Sequence, residues 1–181
     1  MNRMNYKIAL QSKKMLTDAL FRLIETGDYS QITVTQICQE ADLSRRTFYR
    51  LYKTKEDILH EYMDLLTEQF KNMVAKTAPM HYLEVAEAYF DFWNQHTDFL
   101  KLLRKNKLLD ILYKTVRDRA PSVFHMVKPG IQANETVLAF ALSYSLGGLN
   151  GMLIQWVEDD MCIPPNQMAA ILKQTLKIAI S

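Results

Sequence analysis

The sequence predicts an all-α protein, and three observations carry that reading. Leu, Ala, Met, Lys and Gln, which favour helix, are frequent. Apolar residues recur at i, i+3, i+4 and i+7 in segment after segment. Only five Gly and five Pro interrupt 181 residues, too few for a collagen-like or low-complexity chain. Hydrophobic residues make up 49% of the chain, enough for a sizeable core. The expected architecture is a three-helix N-terminal domain over residues 1–55, packed on a larger helical bundle over residues 56–181.

The first helix is expected from about Tyr6 to Thr26, with Leu16, Ala19, Leu20, Leu23 and Ile24 on one face and Gly27 as its C-cap. Thr33 and Gln36 form a capping-box pair, which starts a short second helix with Val34, Ile37, Cys38 and Ala41 on its core stripe. Asp42-Leu43-Ser44 reads as a turn, with Ser44 capping a third helix from Arg45 to about Tyr52. Phe48, Leu51 and Tyr52 form its apolar stripe, while Arg46, Tyr49, Arg50 and Lys53 form the opposite face.

Thr54-Lys55-Glu56-Asp57 caps a long fourth helix that continues towards Pro79. A helix beginning near Pro79 carries Leu83, Ala86, Tyr89, Phe90 and Trp93, and a short one follows from Thr97 through Leu103. Asn106 to about Val127 reads as mostly helical, with a bend or break at Pro121. A long apolar helix is expected over Asn134–Val157, and a last one runs from Pro164-Pro165 through Ile178.

The formal net charge is only +2, but its distribution is uneven. Between Asp42 and Lys55 lie Arg45, Arg46, Arg50, Lys53 and Lys55, opposed by Asp42 alone. Such a cluster suits a phosphate backbone, although most charge clusters are solvated helix faces. Cys38 and Cys162 follow no metal or disulfide spacing, which fits a reducing cytoplasm. The N-terminal residues show no apolar run with a cleavage site. From Thr136 to Val157 there is no charged residue, a length that suits a bilayer span. Ser143, Tyr144, Ser145, Asn150 and Gln155 interrupt it, so a buried core or dimer helix is the better reading.

An enzyme is not indicated. There is no Gly-rich phosphate loop, no nucleophile motif and no short-range metal pair among His60, His81, His96 and His125. No metal and no cofactor are expected. The two short helices and their tight turn suit DNA instead. The second helix of such a pair fits the major groove, with its N-terminal residues on base edges. Here those residues are Arg45, Arg46 and Thr47: Arg pairs with guanine, and a Thr methyl touches thymine. Tyr49, Arg50, Lys53 and Lys55 are placed for phosphates, with Thr33, Thr35 and Ser44 as further donors near the helix starts. The bland alternatives are that Tyr49 covers apolar surface and that Arg45 and Arg46 pair with Glu40 or Asp42.

The stretch Ile32 to Leu59, ITVTQICQEADLSRRTFYRLYKTKEDIL, resembles the DNA-binding region of the tetracycline-repressor (TetR) family. The shared positions are Thr33, Val34, Ile37, Ala41, Ser44, Thr47, Tyr49, Lys53, Lys55 and Glu56. It departs from the family pattern at Asp42, where a turn Gly is usual, and at Arg46, where a small residue is common. It also departs at Leu51, often His, and at Tyr52, usually Phe. Asp tolerates a left-handed turn, so the turn is expected to survive. The resemblance implies phosphate contacts at Tyr49 and Lys55, and base or backbone contacts at Arg45, Arg46 and Thr47. It further implies a homodimer on a pseudo-palindromic operator in duplex DNA. Such a protein is often a repressor, released by a small molecule held in the C-terminal domain.

Gly147-Gly148-Leu149-Asn150-Gly151, Trp156 and Pro164-Pro165 more loosely resemble the C-terminal domains of TetR-type regulators from Gram-positive bacteria. That resemblance implies a dimer interface from the last two helices, at Gly147, Gly151, Ile154 and Leu172. Tyr62, Phe70, Tyr89, Phe90, Trp93, Tyr113 and Tyr144 are the candidate pocket residues, with His96 and His125 as polar anchors, although an aromatic stripe is more often core. The rival within the same fold is a coactivator that works through a protein partner instead of an operator.

Overall fold

The structure, a computed structural model, describes residues 3–132 and 134–180. Its regular structure is helical, as expected: α1 (Arg3–Thr26), a 3-10 turn (Tyr29–Gln31), α2 (Val34–Glu40), α3 (Arg45–Leu51), α4 (Glu56–Val74), α5 (Tyr82–Asn94), α6 (Thr97–Lys105), α7 (Leu109–Val127), α8 (Glu135–Glu158) and α9 (Pro165–Ile180). Two compact units meet in the chain at Leu65–Leu66, within α4. The expected boundary was Lys55, just before α4. The first turns of α4 instead join the first unit, because Tyr62 sets its ring edge-on to Phe21 at 4.8 Å and Glu61 accepts from Lys13 at 2.7 Å.

In the first unit α1 packs against both α2 and α3. Leu16, Leu20, Ile24, Ile37 and Phe48 are fully buried there. The capping box of α2 is formed: Gln36 N donates to Thr33 Oγ1 at 3.3 Å, and Thr33 N donates to Gln36 Oε1 at 2.8 Å. Two orphan amides at the helix start are thereby satisfied. Asp42 adopts φ 51°, the left-handed conformation that the family's Gly would take, and Leu43 N donates to Cys38 O at 2.9 Å to close the turn. Ser44 then caps α3, accepting from Thr47 N at 3.0 Å. Past α3 the chain is extended at Tyr52. The Asp57 carboxylate reaches back to accept from Thr54 N at 2.9 Å and Lys53 N at 2.7 Å. Those two backbone bonds, Thr54's first, hold its carboxyl below the usual range.

In the second unit α5 lies along α9, α7 lies along α8, and α6 touches α5, α7 and α8. Trp156 of α8 sits at its centre, edge-on to Phe90 at 6.1 Å, and its indole donates to Ile163 O at 2.8 Å. Arg104 of α6 secures the end of α8, donating to the carbonyls of Val157 and Glu158 and pairing with Asp160 at 2.6 Å. A cation on the last carbonyls of a helix satisfies groups that have no partner within it. The break considered at Pro121 is not present: α7 runs through it from Leu109 to Val127. Proline deletes one amide donor, a loss that α7 bears while packed on α8.

Candidate nucleic-acid interface and interior cavity

The outer side of α3 presents Arg45, Arg46, Tyr49 and Arg50 to solvent, and Lys53 extends the row beyond the helix. Tyr49 is 53% exposed, with its ring edge on Phe48 at a centroid distance of 5.4 Å. The Arg45 guanidinium lies 5.8 Å from the Tyr49 centroid, so the ring supports the cation. Neither Arg45 nor Arg46 forms an ion pair among the described residues. Glu40, one partner offered by the sequence, is held by Arg22 at 2.6 Å. A row of cations with so little local compensation fits a polyanion.

Three hydroxyls in the expected site have local tasks. Ser44 Oγ and Thr47 Oγ1 lie 3.0 Å apart within the α3 cap, and Thr33 Oγ1 donates to Gln36 Oε1 at 2.9 Å. Thr35 is exposed on the first turn of α2.

Lys55, expected at a phosphate, has other partners. Its ammonium donates to Tyr29 O at 2.6 Å, Ile32 O at 2.8 Å and Ser30 O at 3.4 Å, and lies 4.4 Å from the Tyr29 ring centroid. An ammonium has three donors, and all three are engaged. Lys55 thus gathers two carbonyls of the 3-10 turn and that of Ile32, the residue that caps it. The signal for this was Tyr29, a lone aromatic between two helices, whose value as a cation platform was not read.

The second unit holds a partly open cavity of about 260 Å³ walled by the end of α4, α5, α7 and α8. Of the expected lining residues, Phe70, Tyr89 and Trp93 are there. Phe70 meets Tyr89 at 5.9 Å and Phe92 at 5.5 Å, both edge-on. Tyr82, Val85 and Phe92 were missed, although they share the helical face of Tyr89 and Trp93 on α5.

Four expected lining residues lie elsewhere. Tyr62 is in the first unit against Phe21, and Phe90 is core against Trp156. Tyr113 lies one turn before Val116, where the α7 lining begins. Tyr144 points outward from α8 at 66% exposure. The two histidines also fall outside the lining: His96 lies tilted against Phe92 at 4.7 Å, where burial pushes its imidazole pKa down, and His125 is exposed beside Phe124. The Tyr89 hydroxyl and Trp93 Nε1 are buried without a hydrogen-bond partner. Burial drives the Tyr89 hydroxyl pKa well up. Trp93 draws it slightly back, without completing a bond of normal geometry.

Of the expected interface residues, Gly147 and Gly151 are exposed on α8, and a Cβ added at either meets no atom within 4 Å. Ile154 is half-buried. Leu172 is a correction: at 4% exposure it faces inward, because α9 spends that face on α5. Val137, Phe140 and Tyr144 extend the exposed ridge of α8 at i, i+3 and i+7.

Residues 16–62 match the family model described as bacterial regulatory proteins, tetR family. Residues 80–178 match the one described as transcriptional regulator C-terminal region. The chain is also 32% identical over 56 residues to the HTH-type dhaKLM operon transcriptional activator DhaS of Lactococcus lactis subsp. lactis (strain IL1403). That segment is 31% of this chain and spans only 30% of the relative. The helix-turn-helix geometry at α2–α3 and the two matches, which lie in sequence on either side of the middle of α4, agree. The chain belongs to the TetR family of transcriptional regulators.

Proposed function

We propose that the protein is an operator-binding repressor, acting as a homodimer on a pseudo-palindromic duplex and released when a small apolar effector enters the cavity of its second unit. The observation that carries DNA recognition is the exposed row Arg45, Arg46, Arg50 and Lys53, supported by Tyr49 and held on a helix whose cap and core are complete. Arg45, Arg46 and Thr47 stand at the start of α3, the end that enters the groove in this motif. Tyr49, Arg50 and Lys53 serve the backbone.

Binding to DNA upstream of the protein's own gene, followed by fluorescence anisotropy over a salt series, tests this reading. Tight binding that falls steeply with salt and exceeds binding to scrambled DNA is expected. Weak binding, equal on both DNAs, favours a coactivator working through a protein partner. Arg46→Ala is expected to lose about 1–3 kcal/mol, concentrated at one base position. Equal losses on operator and random DNA would remove Arg46 from base contact.

The homodimer is supported by the α8 ridge. Thr136 to Val157 carries no charge, while Val137, Phe140 and Tyr144 are 61%, 74% and 66% exposed. An exposed apolar surface of this kind marks an interface. By length and composition the helix is also apolar enough to cross a membrane, but it lies inside the matched regulator region. Gly151→Arg tests the pairing. Gly151 is exposed and a Cβ there meets no atom within 4 Å of the protomer, so the fold is expected to persist while sedimentation equilibrium shifts from dimer to monomer. An unchanged dimer would move the interface away from Gly151.

A second reading is favoured by the relative, which is a transcriptional activator. In vitro transcription from the operator-bearing promoter separates the two: added protein lowers transcript if it represses and raises it if it activates.

A further inference from the structure

We infer that the cavity of the second unit selects an uncharged, ring-containing molecule larger than benzene, with one oxygen that accepts from the Trp93 indole. The inference rests on the effector reading above and gives it a chemistry.

Size sets the first limit. An apolar cavity of roughly 150 Å³ holds benzene, and this one measures about 260 Å³. A fused pair of rings is the next natural step.

The walls set the second. Phe70, Tyr89, Phe92 and Trp93 meet edge-on, with interplanar angles of 86° for Phe70–Tyr89, 63° for Phe70–Phe92 and 77° for Tyr89–Trp93. Rings set at such angles offer both faces and edges to an aromatic guest. No carboxylate lines the cavity, so an ammonium would be desolvated without a counter-charge. Lys128 is its one charged lining residue, half-buried at the end of α7. One cation, with the Thr67 and Ser145 hydroxyls as the other non-aromatic polar groups of the lining, compensates a desolvated carboxylate poorly.

The third limit is polar. Tyr89 and Trp93 are one turn apart on α5, and the hydroxyl of one and the Nε1 of the other are both buried without a partner. Indole N–H only donates, and the acceptor within its reach, the Tyr89 hydroxyl, meets it without normal hydrogen-bond geometry. A better-placed guest oxygen satisfies the indole and can pair with the Tyr89 hydroxyl as well. Both atoms are covered by their surroundings, so the pairing comes with a small shift of the α5 wall. Buried polar atoms without a well-formed bond are uncommon in folded proteins, and this imperfect pair on the α5 wall of the cavity is where a guest oxygen gains most.

The test is isothermal titration calorimetry of the full chain with four probes of one shape: 2-naphthol, naphthalene, 2-naphthoate and 2-naphthylmethylammonium. 2-Naphthol is expected to bind roughly tenfold or more tighter than either ion. Trp93→Phe should weaken 2-naphthol about fivefold, one buried hydrogen bond's worth, and leave naphthalene within about twofold. If Trp93→Phe lowers thermal stability, Tyr89→Phe provides the same comparison. Val116→Trp, which fills the α7 side, should abolish binding of all four with helix content unchanged.

Equal or tighter binding of an ion would overturn the inference. So would an equal loss for 2-naphthol and naphthalene in Trp93→Phe, or no 2-naphthol binding by protein that still binds its operator. Operator anisotropy with 2-naphthol present is read separately. Binding of 2-naphthol without release from DNA would sink the effector reading and leave the cavity's selectivity standing.

Discussion

Phe48→Ala is expected to destabilise the first unit by about 3–5 kcal/mol, the range for removing a buried aromatic. Phe48 has no exposed surface and lies in the middle of α3, with ring neighbours Tyr49 at 5.4 Å and Tyr52 at 5.9 Å. α3 has only seven residues, too short to be stable on local bonds alone. Its position therefore depends on this one side chain anchored against α1 and α2. Alanine leaves a void that the short helix fills only by moving, and the row from Arg45 to Lys53 moves with it. Urea denaturation followed by circular dichroism measures the loss, and operator anisotropy should show affinity falling in parallel. A loss under about 1 kcal/mol would mean that α3 is held chiefly by its caps.

Lys55→Met separates two roles for a residue on which sequence and structure differ. Met keeps an unbranched apolar stem and removes the ammonium. The carbonyls of Tyr29, Ser30 and Ile32 then lose their shared donor, and the Tyr29 ring loses its cation. Hydrogen bonds to charged groups are worth about 1.5–3 kcal/mol each. Lys55 is only half-buried, so a net loss of about 2 kcal/mol is expected after allowing for water at the outer carbonyls. Operator affinity should drop because the turn leading into α2 loosens, while the dependence of log K on log salt stays as it was. A residue that neutralises a phosphate behaves differently: Lys53→Met should flatten that slope by about 0.9. A slope change of the same size for Lys55→Met would show that the ammonium leaves its carbonyls for DNA.

Much of the first unit was legible because its signals are local. The Thr33–Gln36 capping box, the Ser44 cap and the left-handed Asp42 each depend on residues within four positions, and all three are formed. Lys55 was not legible, because its partners lie more than twenty positions away and are backbone carbonyls, which carry no side-chain signature. The α4 boundary was missed for a similar reason. Nothing in the helix's sequence says that Tyr62 finds Phe21.

In the second unit the sequence offered several aromatic candidates, but not which ones face the cavity, and Tyr82, Phe92 and Phe124 were not among them. Phe90 and Tyr89 are neighbours in sequence, yet one meets Trp156 and the other lines the space. Choosing between them requires knowing which helices lie on each side of α5. Leu172 shows the same limit, since only the packing of α9 on α5 reveals that its face is already used.

Ala141, Leu142, Ser145, Leu146 and Leu149 of α8 line the cavity, while Val137, Phe140, Tyr144, Gly147 and Gly151 of the same helix form its bare outer ridge. A single rod thus has one flank toward the guest and the other toward the partner subunit proposed above. Any tilt that suits one flank is felt by the other, and coupling of this kind is reciprocal. Guest affinity then depends on how much of the protein is paired, so the cellular abundance of the regulator itself becomes part of the effector's dose response.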